Sequence, residues 1–237
     1  MSLPYNLTNG QNADAPQVMA NFNSCAQTAS PTFTGTITAA TANFSGLVNG
    51  STLGIPTRQV LTSGSAATYT TPTNCRQLRI RMFGGGGGGA TNSTGGANGT
   101  SGGDTIFNSL HAGGGSPGSF SGNGGAGGTS STGAVSFRLR GAPGLPGGNG
   151  TANSSPGGGI GAGTNEAAAA ANTGGGGAGQ ASSSGNAGGG GGQGEYVEII
   201  ISSPLSTYVY TIGASGAAGS GSAGAGGTGI IIVDEFN

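Results

Sequence analysis

Long runs of glycine constrain this chain more than any other feature of its sequence. Six of the 57 glycines precede residue 84, and the other 51 lie in residues 84–237, with runs such as 84–89 and 188–192. Glycine loses more conformational freedom on folding than any other residue, about 0.5–1 kcal/mol relative to alanine at a regular position. A folded glycine-rich segment must therefore offset that loss through dense backbone hydrogen bonding or through contacts with neighbouring chains.

The remaining composition argues against several kinds of partner. Only 5% of the residues are charged, and six arginines against seven acids give no basic surface, so we expect no nucleic acid partner. No apolar run approaches the ~20 residues of a membrane span, and the N-terminus lacks signal-peptide features, so we expect no membrane insertion. Cys25 and Cys75 lie in different segments, and free thiols are favoured over a disulfide, which suits assembly in a reducing cytoplasm.

Residues 1–29 predict an extended lead followed by one short helix. Asp14 is a plausible N-cap, with Pro16 in the first turn. Apolar residues then follow at spacings of four and three, which is one helical stripe: Val18, Phe22 and Cys25, with Met19 beside it. The stripe is too small to bury itself. It packs against two copies of the same helix or docks into a larger particle, and the pattern favours neither. Candidate residues for trimerisation or attachment are Val18, Met19 and Phe22.

Residues 30–57 are rich in threonine and alternate apolar with small residues, which is typical of short strands. The apolar positions are Phe33, Ile37, Phe44 and Leu47. One copy presents too little apolar surface for a sheet of its own, so the pattern predicts a short shaft of intertwined chains. The segment resembles the shaft repeats of phage tail fibres. The stretches 4–10, 13–15 and 21–23 resemble the N-terminus of a phage fibre.

Strand patterns appear on both sides of the glycine-rich block. Leu78, Ile80 and Met82 alternate with two arginines, which predicts a strand with Arg79 and Arg81 on the face opposite the core. A solvated face is favoured for these arginines over a receptor contact. Residues 71–74 predict a turn, and further strands are predicted at 60–62, 68–70, 195–201, 207–212 and 230–233. This framing indicates a closed domain over residues 58–237.

Three structures compete for the glycine runs. Collagen needs glycine at every third position, and only residues 141–147 obey that rule. A flexible linker would not need framing strands or the spaced residues Phe107, Phe120 and Phe137. The favoured structure is a bundle of extended threefold helices joined by lateral N–H···O bonds, the glycine counterpart of polyproline II. Residues 166–171 are too few for a stable helix between glycine-rich flanks, which predicts a loop with at most one turn.

The order of these pieces resembles the glycine-rich C-terminal domain of many phage fibres, over about residues 68–237. The resemblance is carried by the ordered motifs Arg79–Phe83, Gly102–Ser109, Ala112–Gly114, Gly194–Glu198, Tyr210–Ala214 and Gly226–Phe236. Phage adhesins with stacked polyglycine helices are similar in composition and offer their loops to surface receptors. The predicted fold is mainly β with polyglycine II-like helices: a short N-terminal helix, a trimeric β shaft and a β-framed, glycine-rich C-terminal knob.

Patterns of catalytic residues are weak, so we do not expect an enzyme or a cofactor. Residues 114–118 match G-x-S-x-G, but no apolar strand precedes them and the only histidine, His111, comes before the serine. One histidine and two distant cysteines do not make a zinc site. Glu195 and Glu198 lie on opposite faces of one predicted strand, so they do not form a glycosidase pair.

The leading functional hypothesis is a homotrimeric virion fibre that is assembled in the host cytoplasm. Residues 1–29 attach it to other virion proteins, and residues 58–237 form a terminal knob. Polar loops around 91–100, 149–156, 164–173 and 180–187 would contact a bacterial surface glycan or outer-membrane protein. Candidate contact residues are His111, Asn153 and Asn165. Two alternatives are a capsid (head) decoration fibre without an essential receptor role and a disordered glycine-rich matrix protein.

Overall fold

The structure, a computed structural model, describes residues 56–92, 96–130, 133, 135–147, 167–182, 187–219 and 222–237, together with Pro16 and Ala20. Pro16 and Ala20, both helical, belong to a first unit, Met1–Val48, and all other described residues belong to a second unit, Asn49–Asn237. The rest of the predicted attachment segment, including Val18, Met19 and Phe22, lies outside the described residues. The same holds for residues 30–55 of the predicted shaft.

The described part of residues 56–237 is mainly β-sheet and contains no helix. Its strands are β1 (Thr57–Leu61), β2 (Ala67–Thr70), β3 (Gln77–Phe83), β4 (Thr105–Phe107), β5 (Leu110–Ala112), β6 (Phe137–Leu139), β7 (Tyr196–Ile201), β8 (Thr207–Thr211) and β9 (Ile230–Phe236). A five-stranded sheet has the order β1-β9-β3-β7-β6, and a four-stranded sheet has the order β2-β8-β4-β5. All neighbouring strands are antiparallel.

The two sheets enclose one hydrophobic core. Leu78, Ile80 and Met82 of β3 are fully buried, which confirms the alternation predicted for this strand. Aromatic rings of the four-stranded sheet pack in the same core, with centroids of Phe107 and Tyr208 4.9 Å apart. The other buried members are Tyr69, Leu110, Ala112, Val197, Ile231 and Val233. Each large apolar side chain contributes about 1.5–3 kcal/mol on full burial.

The glycine tracts are joined by lateral backbone hydrogen bonds that repeat every three residues. In the tract 84–90, the N–H groups of residues 84, 87 and 90 donate to the carbonyl groups of residues 195, 192 and 189. The N–H groups of residues 85 and 88 donate to the carbonyl groups of residues 103 and 100. The N–H groups of residues 86 and 89 donate to the carbonyl groups of residues 227 and 224. All of these bonds measure 2.9 Å. Carbonyl groups of the same tract accept from three further tracts, 113–119, 174–180 and 213–219. The tract 84–90 is therefore hydrogen-bonded to six neighbours and is buried throughout.

Close backbone approach explains why these tracts are glycine. A Cβ atom built on Gly86 would lie 1.8 Å from the carbonyl oxygen of Gly175, and one on Gly191 would lie 2.1 Å from that of Gly87. Both distances are far shorter than a van der Waals contact, so a side chain at either position cannot coexist with the lateral hydrogen bonds. The tracts reach this spacing because the residues at these contact points lack side chains.

Smaller structural features agree with the predictions made from the sequence. The predicted turn at 71–74 forms, with Asn74 at a φ of 67° and the Cys75 N–H donating to Pro72 O at 3.2 Å. Cys75 is a free thiol, whereas Cys25 lies outside the described residues. Residues 167–170 are irregular and 171–173 form a turn, as expected. In the part of the chain that the structure covers, no helix is long and apolar enough to span a membrane.

Candidate interaction surfaces

Alternating directions of the tracts bring several of their ends together at one end of the glycine bundle. At the end of the tract 84–90, Ala90 donates to Gly189 O and accepts from the Gln180 N–H, both at 2.9 Å. The Gly189 N–H in turn donates to Ser119 O at 3.0 Å. The ends of four tracts are thus neighbours. We call this surface the loop end, and its described residues are 91–92, 96–98, 118–123, 147, 167, 180–182, 187, 219 and 222–223.

The described side chains of the loop end are neutral. None of its described residues is charged, and most are Asn, Gln, Ser, Gly and Ala. Asn98 Oδ1 accepts from the Phe120 N–H at 2.9 Å, and the hydroxyl groups of Ser119 and Ser121 lie 2.7 Å apart. Phe120 itself is 41% exposed and is the only aromatic residue in the described loop end. This surface offers amide and hydroxyl groups around one apolar ring.

The predicted contact residue His111 lies elsewhere. It belongs to β5 of the four-stranded sheet, where its partner in register is Ile106. His111 Nδ1 lies 3.5 Å from Asp104 Oδ2, and Asp104 Oδ1 accepts from the Gly114 N–H at 2.9 Å. Gly114 lies near the start of the tract 113–119, and Phe120 follows the other end of that tract. His111 therefore lies at the sheet end of the bundle, and the structure does not bring it to the loop end.

The other two predicted contacts, Asn153 and Asn165, lie outside the described residues. The residues that flank this segment, Gly147 and Ala167, both lie at the loop end, since Gly147 donates to Gly122 O at 2.6 Å and Ala167 accepts from the Ala178 N–H at 3.2 Å. Sequence reasoning did not select Phe120 as a contact. The sequence signal that could have indicated Phe120 is its position as one aromatic residue between Ser119 and Ser121, with glycine-rich stretches on both sides.

Ion pairs occupy the outer face of the five-stranded sheet, the face opposite the core. Arg79 Nε lies 2.8 Å from Glu198 Oε1, and Asp234 accepts from both Arg58 Nε at 2.6 Å and Arg81 Nη2 at 2.8 Å. The predicted side of the strand is correct for both β3 arginines, and each is paired rather than simply solvated. Hydrogen bonds from Arg79, and then from Tyr196, hold the pKa of Glu198 below its usual range.

The pKa of Asp234 reflects two opposing effects. Burial of the carboxyl group raises the pKa, whereas the hydrogen bond from Arg58 and the positive charge of Arg81 lower it. The pKa ends below its usual value, so the two arginines outweigh burial. Asp234 is therefore a carboxylate at neutral pH and links β9 to β1 and β3 through charge-assisted hydrogen bonds.

Two further carboxyl groups are buried and have structural partners. Glu195 accepts from the Gly113 N–H at 2.9 Å and from Arg138 Nη1 at 2.8 Å, which ties the glycine bundle to the side chain of β6. Glu235 accepts from Tyr69 Oη and Gln59 Nε2, both at 2.6 Å. Burial, and then the hydrogen bond to Glu235, raise the pKa of Tyr69. Among the described residues, no group of three or more His, Cys, Asp or Glu side chains could hold a metal ion.

Comparisons with known proteins give little further information. No protein-family model matches the chain, and no curated protein matches it. A solved structure, the tripod (BppUct-A-L) from the baseplate of bacteriophage Tuc2009, aligns over 100% of both chains with 15% identity and a TM-score of 0.28. A TM-score this low does not establish a shared fold. The function therefore has to be inferred from the sequence and from the geometry of the loop end.

Proposed function

We propose that this chain is a homotrimeric fibre protein of a bacteriophage virion, and that its loop end contacts a receptor on the bacterial surface. The observation that carries the proposal is the loop end itself: a densely hydrogen-bonded bundle that gathers polar loops of different sequence on one surface. Binding residues are commonly found on loops that a rigid scaffold positions. The paired strands of the second unit fit poorly with a disordered matrix protein.

We further propose that the glycine tracts are polyglycine II-like helices. The threefold period of the lateral hydrogen bonds supports this, because polyproline II-type helices have three residues per turn. Six hydrogen-bonded neighbours around the tract 84–90 agree with a hexagonal bundle of such helices. This arrangement satisfies the backbone polar groups without a large apolar core.

The chemistry of the loop end favours a glycan as the receptor. Its described side chains carry no charge, and Phe120 presents an exposed ring beside Asn98 and two serines. A neutral sugar suits this surface, since its apolar face can stack on an aromatic ring while its hydroxyl groups pair with amides and hydroxyls. A single such contact is weak, and three copies in one fibre would raise the overall affinity through multivalency. An outer-membrane protein is the other class of receptor.

Attachment and trimerisation are assigned to the part of the chain before β1. The apolar stripe of Val18, Met19 and Phe22 would dock on other virion proteins or on two further copies. Residues 30–57 would form the intertwined shaft. On this proposal the protein is a structural component of the virion without enzymatic activity or a cofactor, and it is assembled in the host cytoplasm.

Binding of the purified, fluorescently labelled full chain to host cells tests the proposal. Phe120→Ala should lower binding at least about tenfold, because aromatic anchors contribute disproportionately to interfaces. Leu205→Ala is the matched control, since Leu205 is also an exposed apolar residue but lies between β7 and β8. Equal binding by both variants would remove Phe120 from the site. If the unchanged chain does not bind host cells, the receptor role is wrong, and a capsid decoration fibre becomes the better hypothesis.

A further inference from the structure

A cleft lies where the outer face of the five-stranded sheet meets the glycine bundle. It has a volume of about 320 Å³. Its lining residues come from the ends of β3 and β6, the start of β7 and the adjoining glycine tracts: Phe83, Leu139, Arg140, Gly141, Gln193, Gly194 and Tyr196. Sites for small ligands have volumes of roughly 300–1,000 Å³, so the cleft is large enough for a small molecule or for one end of a longer one.

One part of the lining is aromatic. Phe83 and Tyr196 are partners in register on β3 and β7, and their ring centroids lie 4.9 Å apart. The Tyr196 hydroxyl donates to Glu198 Oε2 at 2.7 Å, which fixes the orientation of this ring. Leu139 is the next partner in register and is 52% exposed. These side chains form a held apolar surface that is partly open to solvent.

The glycine bundle holds the backbone of the polar part. Gly141 donates to Gly128 O at 3.1 Å, and the Gln193 N–H donates to Ala142 O at 2.9 Å. A Cβ atom on Gly141 would lie 2.0 Å from Gln193 O, so a side chain there is incompatible with this packing. The Gln193 side chain accepts only a long hydrogen bond, 3.5 Å from the Ala142 N–H. Its amide is therefore in position to pair with a ligand.

Arg140 is the only charged side chain that lines the cleft. It is exposed and forms no ion pair with any described residue. The outer face beside it carries three arginines against two carboxylates, Asp234 and Glu198. An anionic ligand would thus meet a net positive field and one unpaired guanidinium group, whereas a cationic ligand would be repelled.

We propose that this cleft binds an anionic saccharide, that is, a sugar residue that carries a carboxylate or a phosphate group. The acidic group pairs with Arg140, whose planar guanidinium suits both kinds of anion. The apolar face of the sugar ring packs on the aromatic surface, and its hydroxyl groups pair with the Gln193 amide. The choice of a saccharide rests on the proposed function, since a bacterial surface glycan is the receptor proposed above.

This site is distinct from the loop end. Gly194 lines the cleft, whereas Gly189, five residues earlier in the same tract, donates to Ser119 O at the loop end. At about 3.1 Å per residue, a threefold helix covers roughly 16 Å over this stretch. The loop end suits neutral sugars and the cleft suits acidic ones. A polysaccharide with both kinds of residue would gain affinity by contacting both sites.

Two matched sugars test the inference on the purified full chain. Methyl β-D-glucuronide has a carboxylate where methyl β-D-glucoside has a hydroxymethyl group, and the two are otherwise identical. Titration followed by saturation-transfer difference NMR should give a Kd at least about fivefold lower for the glucuronide, because charge-assisted hydrogen bonds are roughly twice as strong as neutral ones. Equal affinities, or no binding of the glucuronide, would overturn the inference.

Two further probes define the ligand. Glucose 6-phosphate separates the two acidic groups: tighter binding than the glucuronide assigns the cleft to phosphorylated sugars, and weaker binding assigns it to uronic acids. Inorganic phosphate alone should compete poorly. If it displaces the glucuronide as well as glucose 6-phosphate does, the cleft holds an anion without recognising a sugar, and the inference is wrong.

Variants locate the site. Arg140→Gln should bind the glucuronide and the glucoside equally. Arg76→Gln is the matched control and should keep the preference, since Arg76 is also exposed, forms no ion pair with a described residue and precedes β3 outside the cleft. A preference that survives in Arg140→Gln would overturn the assignment. These titrations use no host cells, so a chain that prefers the glucuronide but fails to bind host cells contradicts only the receptor role.

Discussion

Gly86→Ala tests whether backbone packing determines the glycine content of the bundle. The new Cβ would lie 1.8 Å from Gly175 O, where an ordinary carbon–oxygen contact is at least about 3 Å, so the two tracts must separate by more than about 1 Å. Separation stretches the bond from the Gly227 N–H to Gly175 O, now 2.8 Å, and the bond from the Gly177 N–H to Gly87 O, now 2.9 Å.

The expected loss of stability follows from those two bonds. Each buried donor left without a partner destabilises the fold by about 1–3 kcal/mol. Two such unpaired donors lower the free energy of unfolding by about 2–6 kcal/mol, which is a large fraction of the about 5–15 kcal/mol that is typical of a folded protein. At about 2–4 °C per kcal/mol for a domain of this size, Gly86→Ala should lower the Tm by roughly 5–20 °C.

Gly175→Ala is the matched control from the opposite side of the same contact. Its Cβ would meet only the side-chain atoms Ala169 Cβ and Thr173 Oγ1, both at 3.2 Å. Differential scanning calorimetry of the two variants at equal protein concentration gives the comparison. Gly175→Ala should stay within about 1 kcal/mol of the unchanged chain, because alanine also restricts the unfolded state. Similar Tm values for both variants would refute the packing argument.

Two further predictions concern the ionisable groups. The depressed pKa values of Glu198 and Asp234 contribute stability that is fully present above their unfolded values, 4.5 and 3.8, and is lost as pH falls through the lower folded values. The Tm should therefore be flat from pH 7 to about pH 5 and should fall below about pH 4. Glu198→Gln should make that fall at low pH less steep. The same pH profile in the variant as in the unchanged chain would contradict the lowered pKa of Glu198 as a cause of the fall. Tyr69→Phe removes a buried hydroxyl that donates to Glu235 at 2.6 Å, and should destabilise the fold by about 1.5–3 kcal/mol in urea denaturation. Tyr210→Phe, for a tyrosine that is only partly buried, is the control, and equal losses in both variants would contradict a specific role for the Tyr69–Glu235 bond.

Strands were predictable from the sequence where side chains alternate. β3 shows this most clearly, because Leu78, Ile80 and Met82 determine both its period and its buried face. The strands β4, β5 and β6 were not predicted as such, since each has three residues, too few to show a period. The turn between β4 and β5 depends on Asn108, which adopts a φ of 55° that asparagine tolerates better than most residues.

The arrangement of the bundle was harder to predict. Glycine tracts carry no side-chain pattern, so nothing in the sequence of 84–90 identifies its six neighbouring tracts. The neighbours are selected by where each tract leaves a strand or a loop. For the same reason the sequence placed His111 with the polar loops, although the structure puts it at the sheet end. Phe120 was not selected as a contact residue because one aromatic residue among glycines has no periodic context.

The run of five glycines at 188–192 should accept an added glycine more readily than an added residue that has a side chain. The Glu195 end of the tract 187–195 is held by the start of β7, so a residue inserted between Gly191 and Gly192 pushes the preceding residues one position toward the loop end. An inserted glycine replaces like with like along the run 188–192 and passes the extra length to the loop that precedes Ala187. An inserted alanine instead occupies the site of Gly191, where its Cβ would meet Gly87 O at 2.1 Å. The glycine insertion should change the Tm by less than about 5 °C and the alanine insertion should lower it at least as much as Gly86→Ala. Equal decreases in Tm from the two insertions would mean that the register of the tract, and not the lack of side chains at its contacts, holds the bundle together. A glycine insertion that leaves the Tm unchanged would mean that the bundle passes variation in length to the loops.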